Sequence, residues 1–380
     1  MITVLSSVLV VVLLLVAGGY AYLRYRYDQF PKVAISAEQA AVAGQPFNML
    51  VLGSDSRVGL TPAEAAQAGT PTQVGGQRSD VVMVWHVVPS THQITILSIP
   101  RDTMMSMVGG EASQFGQFNR INASFNGGPN ALVQTIEDNL GIPINHVMEV
   151  GFGGFEGAVN ALGGVWMDFP YPSKDAWSGL TVTHPGCQLL DGAQALAVAR
   201  SRHFYYLQNG VWQYDGTSDF GRIHRQDAFL KALIDAAKSK LNPLAINAFL
   251  GSLHQGITID DRFSLGDMIG LAADFRSFSP GALDTQTLPT VPETLSSYGD
   301  VLFVDQPAAQ QMLVSIFGSQ LQRPTQPPPD TNLVSTPPPS VGGSPHTAAA
   351  VTPSPATAAA TQPASPPPPS FDPTACSPGG

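Results

Sequence analysis

The stretch DVVMVWHVVPSTHQITILSIP, residues 80–100, contains two apolar runs rich in valine and isoleucine on either side of a short polar segment. Apolar, β-branched runs separated by a few turn residues are typical of a β-hairpin. The run NMLVLGS, residues 48–54, is a third short apolar segment and ends in a glycine turn, as inner strands do. Together these three runs predict the centre of a buried β-sheet.

Four further segments show helical spacing of apolar residues: 130–141, 152–165, 193–203 and 221–240. In the first, Leu132, Val133, Ile136 and Leu140 share one face, and the pattern closes on a glycine. Strands and helices are interleaved along residues 36–322 without a linker-like break or a repeat. The pattern therefore predicts one α/β domain in which helices cover a mixed sheet.

The N-terminal end has a different character. Residues 2–23 contain no charge, and about 20 apolar residues are enough to span a bilayer as a helix. We predict an uncleaved transmembrane anchor over residues 1–27, with a cleaved signal peptide as the alternative. No basic residue precedes the segment, whereas Arg24 and Arg26 follow it, so the positive-inside rule alone would place the body in the cytoplasm.

The C-terminal end is rich in proline. The 57 residues from 324 onward hold 17 of the 33 prolines and only two charges. Such a composition cannot bury enough apolar surface to fold, so residues 323–380 are predicted to form a disordered tail, either a spacer through a cell wall or an inert extension. Cys187 and Cys376 are the two cysteines; they form no metal-binding motif, and both a long-range disulfide and two unrelated thiols remain open.

Charge and composition reduce the number of functions that the chain can have. The chain has 18 basic and 28 acidic residues, a net charge of −10, which argues against a general nucleic-acid binder. Arginines outnumber lysines 13 to 5, and arginine is the better bidentate ligand for phosphate, although a GC-rich genome gives the same bias. The sequence lacks GxSxG, HExxH, GxxxxGK[ST] and CxxC motifs, which argues against serine and zinc hydrolases.

Polar clusters lie at the ends of the predicted elements, where α/β folds bind their ligands. They are GSDSR (53–57), RSD (78–80), PRD (100–102), and the pair ARSRH (199–203) and DFGRIHRQ (219–226). Asp55 and Asp80 flank two buried strands and can meet at one sheet end, where two carboxylates suit Mg²⁺. Turn or capping roles are the alternative for each aspartate.

The clusters belong to seven longer motifs that occur in a fixed order. They are NMLVLGSDSR (48–57), RSD (78–80), SIPRDTMM (98–105), RINASFNGG (120–128), GFEGAVNALGGVWMDFPYP (154–172), LLDGAQALAVARSRH (189–203) and DFGRIHRQDAFL (219–230). Together they resemble the LytR-CpsA-Psr (LCP) proteins of the bacterial envelope, in their actinobacterial form. The resemblance implies a three-layer α/β/α sandwich around a mixed central sheet over residues 48–322, after a juxtamembrane segment at 28–47.

The resemblance also implies an activity. LCP proteins are phosphotransferases that move a glycopolymer from a polyprenyl-pyrophosphate carrier to peptidoglycan, and a pyrophosphatase side activity would accompany this. The implied location is the plasma membrane, with a single-pass anchor and an extracytoplasmic catalytic domain. The lipid tail of the carrier is expected in an apolar tunnel between helices and sheet, and no nucleic-acid partner is expected.

Matching the motif positions of the family to this sequence implies roles for individual residues. The resemblance implies that Asp55 and Asp80 hold Mg²⁺ and, with Arg101, form the catalytic set. The pyrophosphate ligands are expected to be Arg57, Arg78, Arg101, Arg200, Arg202, Arg222 and Gln226. Asn122, Asp219 and Arg225 match motif positions and are candidate additions. The chain departs from the family at residues 204–218, a long aromatic segment that could be a lid or an acceptor surface, and in lacking a basic stretch before the anchor.

Two other functions stay open at this point. A non-catalytic polyprenyl-phosphate-binding protein would use the same arginines but would not need both Asp55 and Asp80. A transcriptional regulator is opposed by the net charge of −10 and by the lack of a recognisable DNA-reading motif.

Overall fold

The computed structural model describes residues 17–54, 79–108, 116–239, 251, 253, 256–277, 283–330 and 369–376. Its strands are β1 Lys32–Val33, β2 Phe47–Ser54, β3 Ser79–Val88, β4 Gln93–Ile99, β5 Met104–Ser106, β6 Phe118–Arg120, β7 His146–Val150, β8 Val165–Phe169, β9 Ser173–Asp175, β10 Leu180–Val182, β11 Gly186–Leu190, β12 Tyr205–Gln208, β13 Val211–Tyr214, β14 Ile257–Asp260, β15 Leu283–Thr287, β16 Thr290–Leu295, β17 Gly299–Val304 and β18 Thr374–Ala375. Its helices are α1 (17–28), α2 Ile121–Ser124, α3 Pro129–Leu140, α4 Phe152–Ala161, α5 Gly192–Arg200, α6 Ser218–Ser239, α7 Leu265–Ser277 and α8 Gln306–Phe317, with 3-10 turns at Phe125–Gly127 and Gly318–Gln320.

Seven strands form the central sheet, in the order β1-β14-β7-β2-β3-β4-β15. The predicted hairpin is present as β3 and β4, with Val84 opposite Leu97, and β2 lies antiparallel beside β3. The pairs β2·β7, β4·β15 and β1·β14 are parallel, so the sheet is mixed. The predicted α/β fold around a central mixed sheet is confirmed.

Both faces of the central sheet are buried, because successive side chains of a strand point to opposite faces. Leu50 and Leu52 of β2 pack on one face, in a core that includes residues of α3 and α8. Met49 and Val51 pack on the other face, in a core that includes residues of α6 and α7. The continuous apolar run in β2 is thus explained by helices on both sides of the sheet.

The four predicted helices are present as α3, α4, α5 and α6, with small changes at their ends. Helix α3 ends at Leu140 and is followed by Gly141, whose φ of 70° is left-handed and suits glycine. Helix α5 ends at Arg200 rather than His203, because Ser201 is extended. Arg202 and His203 therefore lie in a loop.

The aromatic segment 204–218 forms a β-hairpin of β12 and β13. Asn209 and Gly210 connect the strands with φ angles of 53° and 76°, the left-handed pair that a two-residue hairpin turn requires. Together with β9 and β10 the hairpin makes a four-stranded sheet in the order β10-β9-β12-β13.

Residues 28–47, predicted as a separate juxtamembrane segment, are part of the body. Strand β1 pairs with β14, Phe30 and Ile35 are buried, and the Tyr27 hydroxyl donates to the carbonyl oxygen of Phe263 at 2.8 Å. The predicted boundary at residue 48 is therefore wrong, since apolar residues before it complete both cores. No helix among the described residues is long and apolar enough to cross a bilayer, and residues 1–16, most of the predicted anchor, lie outside them.

Two segments of the predicted tail are ordered parts of the fold. The backbone N–H of Gln326 donates to the carbonyl of Asp138, a residue of α3, at 2.9 Å. Strand β18 pairs with β8, and Cys376 forms a disulfide with Cys187. The prediction of disorder across 323–380 is therefore wrong for residues 323–330 and 369–376, because distant partners supply the burial that the local composition lacks. Residues 331–368 and 377–380 lie outside the described residues.

Candidate active site

A cleft lies where the start of β3 and the end of β4 meet helix α6. Its sheet side includes Val82, Ile99, Pro100 and Arg101, and its helix side includes Asp219, Arg222, Ile223 and Gln226. Because β3 and β4 are antiparallel, the first residues of one and the last residues of the other lie at the same end of the sheet. The structure thus brings together two polar clusters that are more than 100 residues apart in sequence.

Asp219 is the centre of an arginine cluster in this cleft. Its Oδ1 atom lies 2.9 Å from Nη2 of Arg222, 3.1 Å from Nε of Arg202 and 3.9 Å from Nε of Arg101. The three guanidinium groups come from α6, from the loop after α5 and from the loop after β4. Three of the predicted pyrophosphate ligands therefore converge on one carboxylate.

A second carboxylate extends the cluster. Asp102 lies between Arg101 and Arg120, with its oxygens 3.4 Å and 3.2 Å from their respective Nε atoms. Arg120 also donates to the backbone carbonyl of Asp300 at 3.1 Å, which joins the cluster to β17. Four guanidinium groups and two carboxylates give the cluster a formal charge of +2. Asp102 and Arg120 both lie in the sequence motifs, but no role was predicted for either.

The loop that carries Arg202 is fixed by Asp175, a buried residue at the end of β9. The Asp175 carboxylate accepts hydrogen bonds from the backbone N–H groups of Arg202 (2.9 Å) and His203 (2.8 Å) and from the Ser201 hydroxyl (2.7 Å). Burial alone would raise the pKa of Asp175, but these hydrogen bonds outweigh it and lower the pKa below its usual value. An ionised Asp175 therefore orients Arg202.

The remaining predicted ligands from this part of the chain contact neighbouring elements. Gln226 lines the cleft, and its amide nitrogen donates to the carbonyl of Ala199 in α5 at 2.9 Å. The Arg200 guanidinium lies over the ring of Phe152, 4.7 Å from its centroid. The backbone N–H of Asn122 donates to the carbonyl of Arg101 at 3.3 Å and so supports the loop after β4.

Arg225, a candidate addition to the site, points away from the cleft. It is fully buried, and its Nη1 atom lies 2.9 Å from Asp215 and 2.7 Å from Asp372, while Nη2 donates to the carbonyl of Ser201. Burial raises the pKa of Asp372 to about 6, although the neighbouring Arg225 opposes this. The contacts of Arg225 are structural, since they join α6 to the loop after α5 and to the C-terminal segment.

The predicted metal ligands cannot be placed in full. Asp55, Arg57 and Arg78 lie outside the described residues, and Asp80 is in β3 without a described side chain. Ser54 pairs with Ser79 at the end of β2 and β3, so the backbone puts Asp80 beside the end of β2. Among the described residues no group of three or more acidic, histidine or cysteine side chains could hold a metal. Mg²⁺ binding by Asp55 and Asp80 stays a prediction.

Comparison with known proteins shows which proteins this chain resembles. A family model described as the LytR_cpsA_psr family matches residues 22–316. The chain is 33% identical over 273 residues to a probable cell wall biosynthesis protein, LcpB, of Corynebacterium glutamicum, which covers 71% of this chain and 60% of that protein. It is 29% identical over 249 residues to TagV of Bacillus subtilis, a polyisoprenyl-teichoic acid–peptidoglycan teichoic acid transferase, covering 64% and 56%. The chain thus spans about three-fifths of the length of these relatives.

Among solved structures, a LytR-Csp2A-Psr enzyme from Actinomyces oris matches with a TM-score of 0.61 at 24% identity. The match covers 78% of this chain and 97% of that one. At this identity the likeness concerns the fold alone.

Proposed function

The chain belongs to the LytR-CpsA-Psr family, and on that premise we propose that it transfers a glycopolymer from a polyprenyl-pyrophosphate carrier to peptidoglycan. The names of LcpB and TagV, a cell wall biosynthesis protein and a teichoic acid transferase, support this class of activity. The observation that carries the proposal is the convergence of Arg101, Arg202 and Arg222 on one carboxylate in a cleft beside the sheet.

The charge of the cluster suits a pyrophosphate. A pyrophosphate diester carries two negative charges, and the four guanidinium groups and two carboxylates have a formal charge of +2. The Arg222 side chain is only 3% exposed and that of Asp219 13% exposed, so interactions there are weakly screened by water. Guanidinium groups held in this way match the phosphate oxygens as bidentate donors.

The proposed reaction needs no covalent enzyme intermediate. A sugar hydroxyl of the acceptor attacks the phosphorus that bears the glycopolymer and forms a new P–O bond. The P–O bond to the bridging oxygen breaks, polyprenyl monophosphate leaves with that oxygen, and the hydroxyl proton is lost to solvent. Arginines stabilise the charge that develops on the leaving group. Mg²⁺ on Asp55 and Asp80 would add further neutralisation when bound. Water in place of the hydroxyl would give the pyrophosphatase side reaction.

We place the catalytic domain outside the plasma membrane, anchored by residues 1–27. The Cys187–Cys376 disulfide supports this, because disulfides persist in oxidising compartments and are rare in the cytoplasm.

The test is a transfer assay with purified protein, a synthetic polyprenyl-pyrophosphate oligosaccharide and soluble peptidoglycan strands. We expect a phosphodiester-linked product and polyprenyl monophosphate from the wild type, and a large loss of both in Arg202→Ala. Arg323→Ala removes an exposed arginine elsewhere and is the matched control. Binding of the donor without release of polyprenyl monophosphate, with Mg²⁺ present, would instead favour a non-catalytic carrier-binding protein.

A further inference from the structure

The four-stranded sheet has an outer face made of aromatic residues and one lysine. Its register aligns Lys174 with Tyr205 and Tyr205 with Tyr214, and it places Trp212 opposite Leu207. Because side chains alternate along a strand, Lys174, Tyr205, Trp212 and Tyr214 lie on the same face. We call these four residues the aromatic platform.

The aromatic platform is exposed and internally ordered. Tyr205, Trp212 and Tyr214 are 36%, 39% and 48% exposed. The Lys174 ammonium lies 3.9 Å from the centroid of the Trp212 ring, and the rings of Tyr205 and Tyr214 are 5.1 Å apart. An exposed cluster of large aromatic side chains marks an interaction surface.

The core does not explain these rings, because strand β12 is packed through its other face. Tyr206 is directed to that face, where its ring stacks on Phe371 of the C-terminal segment at 4.3 Å. The hairpin therefore already has an apolar contact that holds it to the body. The aromatic platform is additional surface.

The hairpin that carries the aromatic platform is connected at both ends to segments that contribute residues to the arginine cluster. Tyr205 follows Arg202 by three residues, so their Cα atoms are at most about 11 Å apart. Tyr214 precedes Asp219 by five residues, a reach of at most about 18 Å. Asp175, the neighbour of Lys174 in β9, binds the backbone of Arg202 directly. The two surfaces are thus joined by short, hydrogen-bonded connections.

We propose that the aromatic platform binds the peptidoglycan glycan strand that accepts the transferred polymer; this inference rests on the proposed function. The C–H face of a pyranose ring packs well on an aromatic ring, and tyrosine and tryptophan add polar groups at their edges. Lys174 is the one charged member of the platform and complements the carboxylates of peptidoglycan. The donor is held by its pyrophosphate in the cleft, whereas the acceptor brings no phosphate and needs a surface beside the cleft.

The test compares two double variants in the same strand. Trp212→Ala/Tyr214→Ala removes two rings of the platform, and Val211→Ala/Gln213→Ala removes two exposed side chains of β13 that lie on the opposite face. Sedimentation with insoluble peptidoglycan, stripped of its attached polymer, gives the binding constant of the full chain. We expect binding to weaken about tenfold or more in the first variant and by less than twofold in the second. Thermal melts verify that both variants are folded.

Kinetics separate this inference from the proposed function. In the transfer assay, Trp212→Ala/Tyr214→Ala should raise KM for peptidoglycan strands more than it lowers kcat. The inference is overturned if the two variants sediment equally with peptidoglycan. It is also overturned if Trp212→Ala/Tyr214→Ala loses affinity for the isolated donor polymer to the same extent, or if that variant changes the oligomeric state of the protein. If the wild type sediments as expected but transfers nothing, the proposed function fails while the glycan-binding surface stands.

Discussion

Asp372, which follows the proline-rich stretch, lies with Oδ1 2.7 Å from Nη1 of the fully buried Arg225. Arg225 is part of α6, the helix that carries Asp219, Arg222 and Gln226. A residue near the C-terminus therefore neutralises a charge inside the helix of the candidate active site. The segment that carries Asp372 acts as a part of the domain, and changes to it should be measurable as changes in stability.

Asp372→Ala should destabilise the protein. The truncation removes the acceptor nearest to Nη1 of the buried Arg225, and the loss should be about 1–3 kcal/mol, since Asp215 still contacts Arg225. Urea unfolding at neutral pH measures the difference. Asp284→Ala, at an exposed position in the edge strand β15, should change stability by no more than ~0.5 kcal/mol. Equal values for the two variants would show that Asp372 contributes nothing through Arg225.

The disulfide should stabilise the domain. A cross-link between residues 189 positions apart restricts the unfolded chain, so Cys187→Ser/Cys376→Ser should lower the free energy of unfolding by about 2–5 kcal/mol. A reducing agent should lower the melting temperature of the wild type and leave that of the double variant unchanged. An effect of the reductant on both proteins would show that it acts elsewhere.

Arg101→Lys should lose activity but remain folded. Arg101 follows Pro100, whose fixed φ directs the chain out of β4, and its Nε atom faces both Asp102 and Asp219. Lysine keeps the charge but not the planar fork, so turnover should fall roughly 100-fold, the loss of one charge-stabilising donor, ~2.7–4 kcal/mol. Thermal stability should fall by about 1 kcal/mol, because lysine keeps the positive charge beside Asp102 and Asp219 but loses the contacts of the guanidinium group. Steady-state kinetics and melts decide the matter; full activity would make Arg101 only a structural charge.

Asp55→Ala and Asp80→Ala should each abolish turnover and leave the protein folded. Carboxylates at strand ends that bind a metal are seldom structural anchors, so both variants should unfold cooperatively. Release of polyprenyl monophosphate should fall by orders of magnitude at any Mg²⁺ concentration. Activity near that of the wild type, still dependent on Mg²⁺, would show that other residues hold the metal.

Glu38 should make stability depend on pH. Its side chain is buried, and burial, followed by repulsion from Asp260, raises its pKa from 4.5 to about 8. Between those values the folded state keeps a proton that the unfolded chain has lost, so the free energy of unfolding falls as pH rises. The contribution of this group is at most about 1.4 kcal/mol per pH unit.

Glu38→Gln mimics the protonated form and should reduce that slope between pH 5 and 8, which makes the variant the more stable protein at pH 8. Asp227, whose pKa burial raises to about 7, contributes a slope of the same sign and is left in place. Glu293→Gln, at an exposed position in β16, is the control and should leave the slope unchanged. Parallel curves for Glu38→Gln and the wild type would contradict the prediction.

The sequence predicts the fold best where local patterns decide it. Strands β2, β3 and β4 are mostly apolar because helices cover both faces of the central sheet, and that pattern is visible within each strand. The C-terminal segment escapes prediction because its burial depends on partners 147 and 189 residues away, Arg225 and Cys187. The hairpin of residues 204–218 had a local signal, Asn209-Gly210 between two alternating aromatic runs, which the interpretation as a lid or acceptor surface did not use.

The sequence predicts which types of residue form the candidate site better than it predicts how they are arranged in space. Arginines in separate motifs indicate a phosphate site, and three of them do converge. The packing of α6 against α5 and the C-terminal segment decides two features of the site. It makes Asp219 the shared centre of the arginines, and it turns Arg225 inward although Gln226 is the next residue in the helix. No spacing in the sequence contains that information.

The disulfide has a topological consequence. Residues 187 and 376 close a covalent ring that contains α6, the hairpin and the whole stretch 331–368. A protease that cuts once anywhere in that stretch opens the ring but releases nothing. The nicked molecule stays a single species on a non-reducing gel, keeps Phe371 beneath the hairpin and Asp372 beside Arg225, and separates into two fragments only after reduction.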